Sequence, residues 1–401
     1  MLDPEILRTK PELVKASITK RGGNPELVDA FLELDRSWKA ALQEAEQLRQ
    51  ERNQLTASKE LAQKNSAKLK KLKEKLQKLE SKEREVAERR LDALSLVPQI
   101  LSDEVPVGEG ESANIAIRNV GRVRLQTGKT HDELMEALGW LDSATAARTS
   151  GARFRFLKRD AALAHMKLMN LALNWAVRNG FTPVIPPVLV RDDLLLKTGF
   201  FPVGREDTFK VEEHFLTGTS EPLLVALGSE QTHPVDKLPL RFTGFSTCFR
   251  REAGSYGKDT KGMFRQHQFD KVEMVSICRP EESEKEHQRL VSLQEKFVSQ
   301  FDVPYQMVLV GSGDLETKAT KRYDLESYFP GQARYRETHS ASNCGDYQAR
   351  SFNIKVRDKD GEEVYAHTLN ATLATERLLL AIIENHQRPD GRIDLPRALR
   401  S

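Results

Sequence analysis

No proline or glycine occurs between Pro25 and Pro98, although the 401-residue chain carries 17 Pro and 23 Gly. Proline breaks a helix and glycine loosens one, so their joint absence over so long a stretch leaves continuous helix as the economical fold. Apolar or small residues recur at Phe31, Leu34, Trp38, Ala41, Ala45, Leu48 and Leu55, then at Leu69, Leu72, Leu76, Leu79, Val86 and Leu94. That is the three-four spacing of a coiled-coil seam. Residues 63–66 interrupt it, which predicts two long helices folded back on each other about a tip near residues 62–67. An arm of roughly 35 residues at 1.5 Å per residue reaches on the order of 50 Å, so a hairpin spanning about residues 26–97 is expected to project from the body.

Charge is concentrated on this arm. The whole chain carries only +3, yet between residues 61 and 78 Lys64, Lys68, Lys70, Lys71, Lys73, Lys75 and Lys78 face Glu74 alone. That segment is +6 and all other residues together are −3. A lysine-rich coiled-coil face kept soluble by its charge explains this run. So does a rod that follows a polyanion and releases its counterions. Charge by itself does not choose between them.

No run of about 18 apolar residues occurs and the amino end lacks a signal-peptide pattern, so a cytoplasmic protein with no membrane partner is expected. Cys248, Cys278 and Cys344 lie far apart with no CxxC pair, which fits neither a disulfide framework nor a self-contained zinc site; ordinary half-buried thiols are expected.

After Pro98 an irregular acidic connector containing Pro106 marks a domain boundary. Beyond it, residues 131–141, 160–179, 281–300 and 373–386 read as helices, and 184–190, 240–252, 262–276, 305–310 and 352–356 as strands. Strands joined by short loops or helices at irregular intervals suggest an α+β domain around a largely antiparallel sheet. No Walker loop and no GxGxxG opening a helix is present. Residues 241–277 read as a hairpin with a basic, glycine-containing loop over 253–263. Period-two alternation places Cys248, Arg250 and Glu252 on one face of its first strand and Arg265, His267, Phe269, Lys271 and Glu273 on one face of its second. A polar face turned to water fits that pattern; a planar, charged ligand such as a nucleotide also suits it.

The segment FRREAGSYGKDTKGMFRQHQFDKVEM resembles motif 2 of the class II aminoacyl-tRNA synthetases in the form used by the seryl-tRNA synthetases. The rest of that pattern follows in order. GFTPVIPPVLV (180–190, with Pro187) resembles motif 1; LTGTSE (216–221) resembles the serine-recognising Thr-x-Glu turn; RETHSASNCGDYQAR (336–350) resembles the segment that holds ATP and magnesium; HTLNATLATERLLLAIIEN (367–385) resembles motif 3 with Arg377 as its arginine. The long hairpin resembles the family's tRNA-gripping arm.

The resemblance implies a class II catalytic core at residues 104–401 behind an N-terminal tRNA-binding domain at 1–103. It implies ATP and Mg²⁺ as cofactors, L-serine and tRNA(Ser) as partners with tRNA(Sec) as a further acceptor to test, and a homodimer through motif 1. Arg250, Arg377 and Glu337 are the implied catalytic residues. Arg250, Arg251, Glu252, Phe269, Glu337, Thr338, His339, Ser340 and Arg377 are implied at ATP, with Glu337 and Ser340 at the metal. Arg250 would take the α-phosphate and the serine carboxylate, Arg377 the γ-phosphate, and Phe269 the adenine ring, with Glu252 near its amino group. Thr219, Ser220, Glu221, Arg250, Glu273 and Thr372 are implied at serine. The arm lysines named above, with Lys258 and Lys261, are implied at tRNA.

The sequence departs from the family pattern in three places. Glu337-Thr338-His339-Ser340-Ala341 replaces Glu-Val-Ser-Ser-Cys, Thr219-Ser220-Glu221 replaces Thr-Ala-Glu, and one residue fewer separates Asn370 from Arg377, which puts the Thr372 hydroxyl in question. Two other classes fit parts of this pattern: an ATP-dependent serine or small-amino-acid ligase loading something other than tRNA, and an inactive binding protein using the rod as an interaction arm. The lysine rod speaks against the first, the retained Arg250, Glu252, Glu337 and Arg377 against the second.

Overall fold

The computed structural model describes residues 1–57, 63–253, 263–357 and 360–400. The chain divides into two compact units, one of Leu2–Thr19 and Gly23–Pro98, the other of Met1, Lys20–Gly22 and Gln99–Ser401.

The first unit is built on helices α1 (Glu26–Leu55) and α2 (Ser66–Ser95). Ion pairs join Asp35 to Arg90, Glu44 to Lys75 and Glu51 to Lys68; ascending one helix descends the other, so the pair is antiparallel. Each 30-residue helix is about 45 Å long. Ala45, Leu48, Leu72 and Leu76 form a buried seam with Leu55 and Leu79 against it. Phe31, Ala41, Val86 and Leu94 are also buried, while Leu34, Trp38 and Leu69 are half-buried. The expected tip lies partly outside the described residues.

One seam position is a carboxylate. Asp35 is buried and accepts from Arg8 Nε at 2.8 Å and Arg90 Nε at 2.6 Å, while the Arg90 guanidinium lies 4.7 Å from the Trp38 ring centroid. The Arg8 hydrogen bond, with burial opposing and Arg90 assisting, holds the Asp35 carboxyl down at about 2. A depressed carboxyl stabilises the fold fully above its unfolded value, about 3.9, and loses that contribution as pH falls through the folded one. Asp35→Asn is therefore expected to cost the helical hairpin about 2 kcal/mol at pH 7 and progressively less as pH drops towards 2. Denaturant unfolding followed by circular dichroism checks this, and a loss independent of pH would contradict it.

The second unit is organised by an eight-stranded sheet: β1 (Ile115–Val120), β2 (Thr182–Val184), β3 (Leu240–Phe249), β4 (Gln268–Cys278), β5 (Tyr305–Leu309), β6 (Lys321–Phe329), β7 (Arg334–Asn343) and β8 (His367–Thr375). Its order is β1-β5-β6-β7-β8-β4-β3-β2, antiparallel throughout except for the edge pair β2 and β3. Helices α3 (Arg159–Arg178), α5 (Ser283–Val298) and α6 (Glu376–Asn385) bury Leu168, Leu290, Phe297, Leu379 and Ile382 in one core with Met274, Met307 and Leu373 of the sheet. A shorter helix, α4 (Glu221–Ala226), follows the Thr219 turn. Among the described residues, no helix is long and apolar enough to cross a membrane.

Several boundaries differ from expectation for identifiable reasons. The strand expected over 184–190 is two pieces, because Pro186 and Pro187 cannot donate to a ladder: Thr182–Val184 joins β3, and Leu189–Arg191 pairs with His214–Leu216 in another sheet. Residues 373–375, read as the start of a helix, complete strand β8, and Thr375 caps α6 by accepting from Arg377 N. Strands β1, β6, β7 and β8 lie outside the strands expected from sequence. In β6 buried Lys321 pairs with exposed Glu104 and Glu284, and Arg322 with buried Asp324, so charged side chains stand at buried positions and erase the hydrophobic alternation. The three cysteines are fully buried rather than half-buried.

Candidate active site

Strands β3 and β4 are in register, Cys248 opposite Phe269, but both are shorter than expected at the loop end. β3 stops at Phe249 and β4 begins at Gln268, so Arg250, Glu252, Arg265 and His267 lie beyond the ladder and share no strand face. Glu252 takes a left-handed backbone (φ 53°), which turns the chain away from the sheet. The two strands are nonetheless continued by matched bonds: Arg250 N donates to His267 O, and Arg265 Nη1 to Glu252 Oε2 at 3.0 Å. The basic loop expected over 253–263, with Lys258 and Lys261, lies almost wholly outside the described residues.

Arg250, Glu252 and Arg265, but not His267, line a cavity of about 620 Å³ with Phe269, Glu337, Thr338, Ser340, Thr372 and Arg377. Neighbouring strands supply each member. On β7 the register against β6 slips between Leu325 and Glu326, so Thr338 is the extra residue of a bulge. The bulge brings Glu337 and Ser340 to the cavity and leaves His339 outside its lining. His339 is buried, its Nδ1 2.9 Å from Thr338 Oγ1, and burial pulls its imidazole down to about 4. It is therefore a neutral packing histidine. On β8 a second slip follows Thr372, which stays opposite Glu273 and donates to its Oε2 at 3.3 Å. The shortened segment before Arg377 has thus kept the Thr372 hydroxyl in the site.

The electrostatics are those of an anion receptor with its carboxylates already paired. Arg377 Nη1 donates to Glu337 Oε2 at 3.0 Å and Arg322 Nη2 to Glu337 Oε1 at 3.3 Å. Burial pushes the Glu337 carboxyl up, but Arg377, Arg322 and Arg250 outweigh it and hold it down at about 2. Arg250 lies with its guanidinium 5.3 Å from the Phe269 ring centroid, and Arg377 with its own 4.5 Å from that of Phe264. Behind the cavity Arg155 pairs with buried Glu376, which also accepts from Asp270 N, while His165 Nε2 sits 2.8 Å from Asp270 Oδ2. His165, Asp270 and Glu376 could offer three atoms to a cation, but Arg155 already neutralises Glu376.

A second cavity, of about 810 Å³, is lined by Thr219, Glu221, Glu273, Lys318 and Asn370 and shares Arg250, Lys271 and Ser340 with the first. Glu221 opens α4 from a turn closed by Thr217 Oγ1 to Thr219 O. Gly244 on β3 lets that turn close on the sheet, since a Cβ there would lie 2.9 Å from Ser220 Oγ. Burial pushes the Glu273 carboxyl up, with Lys271 Nζ at 3.0 Å opposing it and Glu221 adding to it.

The structure thus gathers Arg250, Glu252, Phe269, Glu337, Thr338, Ser340, Thr372 and Arg377 around one cavity and Thr219, Glu221 and Glu273 around the next. Arg251 is exposed, its N–H donating to Asp207 O, and Ser220 is buried; neither lines these cavities. Sequence reading missed Phe264, Lys271, Glu316 and Lys318 as lining residues. Lys271 stood on the expected β4 face; the other three carried no periodic signal.

An antiparallel sheet presenting arginines from a strand end and from a helix start to a paired cavity defines the catalytic core of the class II aminoacyl-tRNA synthetases. Residues 206–386 match the family described as the tRNA synthetase class II core domain (G, H, P, S and T), and residues 1–101 match the seryl-tRNA synthetase N-terminal domain. The chain is 42% identical over 410 residues to the serine–tRNA ligase of Thermobifida fusca, covering 100% of this chain and 97% of that protein. Its fold superposes on the seryl-tRNA synthetase of Pyrococcus horikoshii, solved with ATP, at a TM-score of 0.90 and 37% identity, covering 100% and 97% of the two chains. The cytoplasmic serine–tRNA ligase of Naegleria fowleri, solved with AMP, gives 0.84 and 29%, covering 100% and 96%. The chain belongs to the seryl-tRNA synthetase family.

Proposed function

We propose that the protein activates L-serine with ATP and passes the seryl group to the 3′-terminal ribose of tRNA(Ser), in the cytoplasm where these substrates are found. The observation that carries this reading is Arg250, which lines both cavities. A carboxylate in the second cavity and an α-phosphate in the first would meet at its guanidinium. A carboxylate oxygen of serine forms a bond to the α-phosphorus, the bond to the β,γ-phosphates breaks, and pyrophosphate leaves with seryl-adenylate held. A ribose hydroxyl then attacks the seryl carbonyl and AMP departs. Neither step needs a protein nucleophile; both need positioning and fixed positive charge where negative charge develops.

Arg250 would hold the α-phosphate and the serine carboxylate, Arg377 the γ-phosphate, and Phe269 the adenine. Thr219, Glu221, Glu273 and Thr372 would surround the amino and hydroxyl groups of serine. Glu337, ionised and facing the cavity, is a hard oxygen donor of the kind Mg²⁺ takes, with Ser340 beside it, so the residues present fit that ion. Bound there, Mg²⁺ would neutralise phosphate charge. The arm-bearing unit would bind tRNA. Exposed Leu163, Met166 and Val177 on α3, with Ile185 after β2, support a homodimer through the motif 1 segment; a sedimentation mass of one protomer would contradict it.

The test is pyrophosphate exchange into ATP with serine, threonine, alanine and glycine, followed by charging of tRNA(Ser) and tRNA(Sec). Serine is expected to exceed alanine by at least about 10³-fold, because a site built to bond the hydroxyl is left with buried groups unsatisfied by alanine. Exchange that does not depend on serine would overturn the reading.

A further inference from the structure

The second cavity already contains an ammonium where the proposed substrate would bring its own. Lys318 is buried, and its Nζ is ion-paired with Glu221 Oε1 and lies 4.0 Å from the centroid of the Phe200 ring. Gln348 Nε2 donates to the same Oε1 at 2.7 Å. A carboxylate oxygen has two lone-pair sites, so these two donors saturate it. The cavity is also balanced without any ligand: Arg250, Lys271 and Lys318 stand against Glu221, Glu273 and Glu316. Once the substrate carboxylate has neutralised Arg250, Lys271 and Lys318 still offset two of the three carboxylates, so Lys318 competes with the incoming ammonium for the charge that remains.

We propose that Lys318 is a specificity-determining residue, a resident cation that occupies the ammonium site on Glu221 in the empty pocket and must be displaced by the amino group of the substrate. This rests on the seryl-transfer reading and sharpens it. Two ammonium groups cannot share one saturated oxygen, so the substrate's amino group contributes only what remains after Lys318 is moved. Glu316, on the wall of the same cavity, offers the displaced lysine another carboxylate. The consequence is a weak preference for serine over an analogue with the same carboxylate and hydroxyl but no amino group.

The test compares serine with 3-hydroxypropanoate, which is serine without its amino group, in the wild-type protein and in Lys318→Met and Lys318→Arg. Methionine keeps an apolar stem against Phe200 and removes the charge; arginine keeps the charge. Serine is read by the KM of exchange and the analogue by its inhibition constant. In Lys318→Met the preference for serine over the analogue should rise by about tenfold, through a lower serine KM with kcat nearly unchanged, since an interaction gained equally in ground and transition states moves KM alone. In Lys318→Arg it should stay at the wild-type value. A lysine that merely props up Glu221 would make Lys318→Met weaken serine, or weaken both ligands together; either result, or an unmoved ratio, overturns the proposal. Wild-type protein that exchanges with serine while the ratio fails to move leaves the seryl-transfer reading standing. Absence of serine-dependent exchange in the wild-type protein sinks both.

Discussion

Arg250→Ala is expected to lower serine-dependent pyrophosphate exchange by at least about 10³-fold, because in the proposed reaction one guanidinium would serve both reacting partners. Loss of a single fixed donor to a developing oxyanion costs about 10²- to 10³-fold, and Arg250 stands at the only wall shared by a carboxylate-lined cavity and an arginine-lined one together with Lys271 and Ser340. The fold should tolerate the change. Its side chain is half-buried and donates to Gly218 O at a long 3.4 Å, so little structural hydrogen bonding is lost. Arg250→Lys should recover little, since a point charge does not reproduce a planar fork bonded to two oxyanions. Exchange by Arg250→Ala within about tenfold of wild type, in protein with an unchanged unfolding profile, would remove Arg250 from the reaction.

Much of the fold is legible in the amino-acid sequence, and the features that are not share a cause. The Pro- and Gly-free stretch could only be helix, and its seam fixed which faces meet. It did not reveal Asp35, because a carboxylate at a seam position is stable only with Arg8 and Arg90 brought from distant segments. The hairpin followed from alternation, but its register and strand ends did not: Cys248 lies opposite Phe269, and Glu252 leaves the ladder through a left-handed backbone that the amino-acid pattern does not announce. His339 and Ser340 illustrate the same limit, since a bulge at Thr338 decides which of them lines the cavity. Lys318 sits in no recognisable motif at all. It becomes a pocket residue because β6 and the turn before it bring it to Glu221, a pairing 97 residues apart in the chain.

The lysine arm gives the second large effect, and the structure changes which lysines should be tested. Lys68 and Lys75 are already engaged across the hairpin with Glu51 and Glu44, so their charge is partly spent and their removal would also leave glutamates unpaired. Lys70, Lys71, Lys73 and Lys78 are exposed on α2 and form no ion pair among the described residues. A lysine without a protein partner keeps counterions that a phosphate can displace, and each such contact adds about 0.7 to 0.9 to the slope of log affinity against log salt. Replacing these four by glutamine is expected to raise the KM for tRNA in charging by about 10²-fold near physiological salt and to flatten its salt dependence by about three units of slope. Exchange with serine and ATP, which involves no polyanion larger than the nucleotide, should stay within about twofold. The same substitutions at Lys68 and Lys75 should do less to tRNA affinity and should lower the stability of the hairpin by under about 1 kcal/mol, the usual worth of exposed pairs. If all six behave alike, the lysines act as a diffuse field rather than as phosphate contacts. If none affects charging, the run is a solubilising face and tRNA binds elsewhere on the protein.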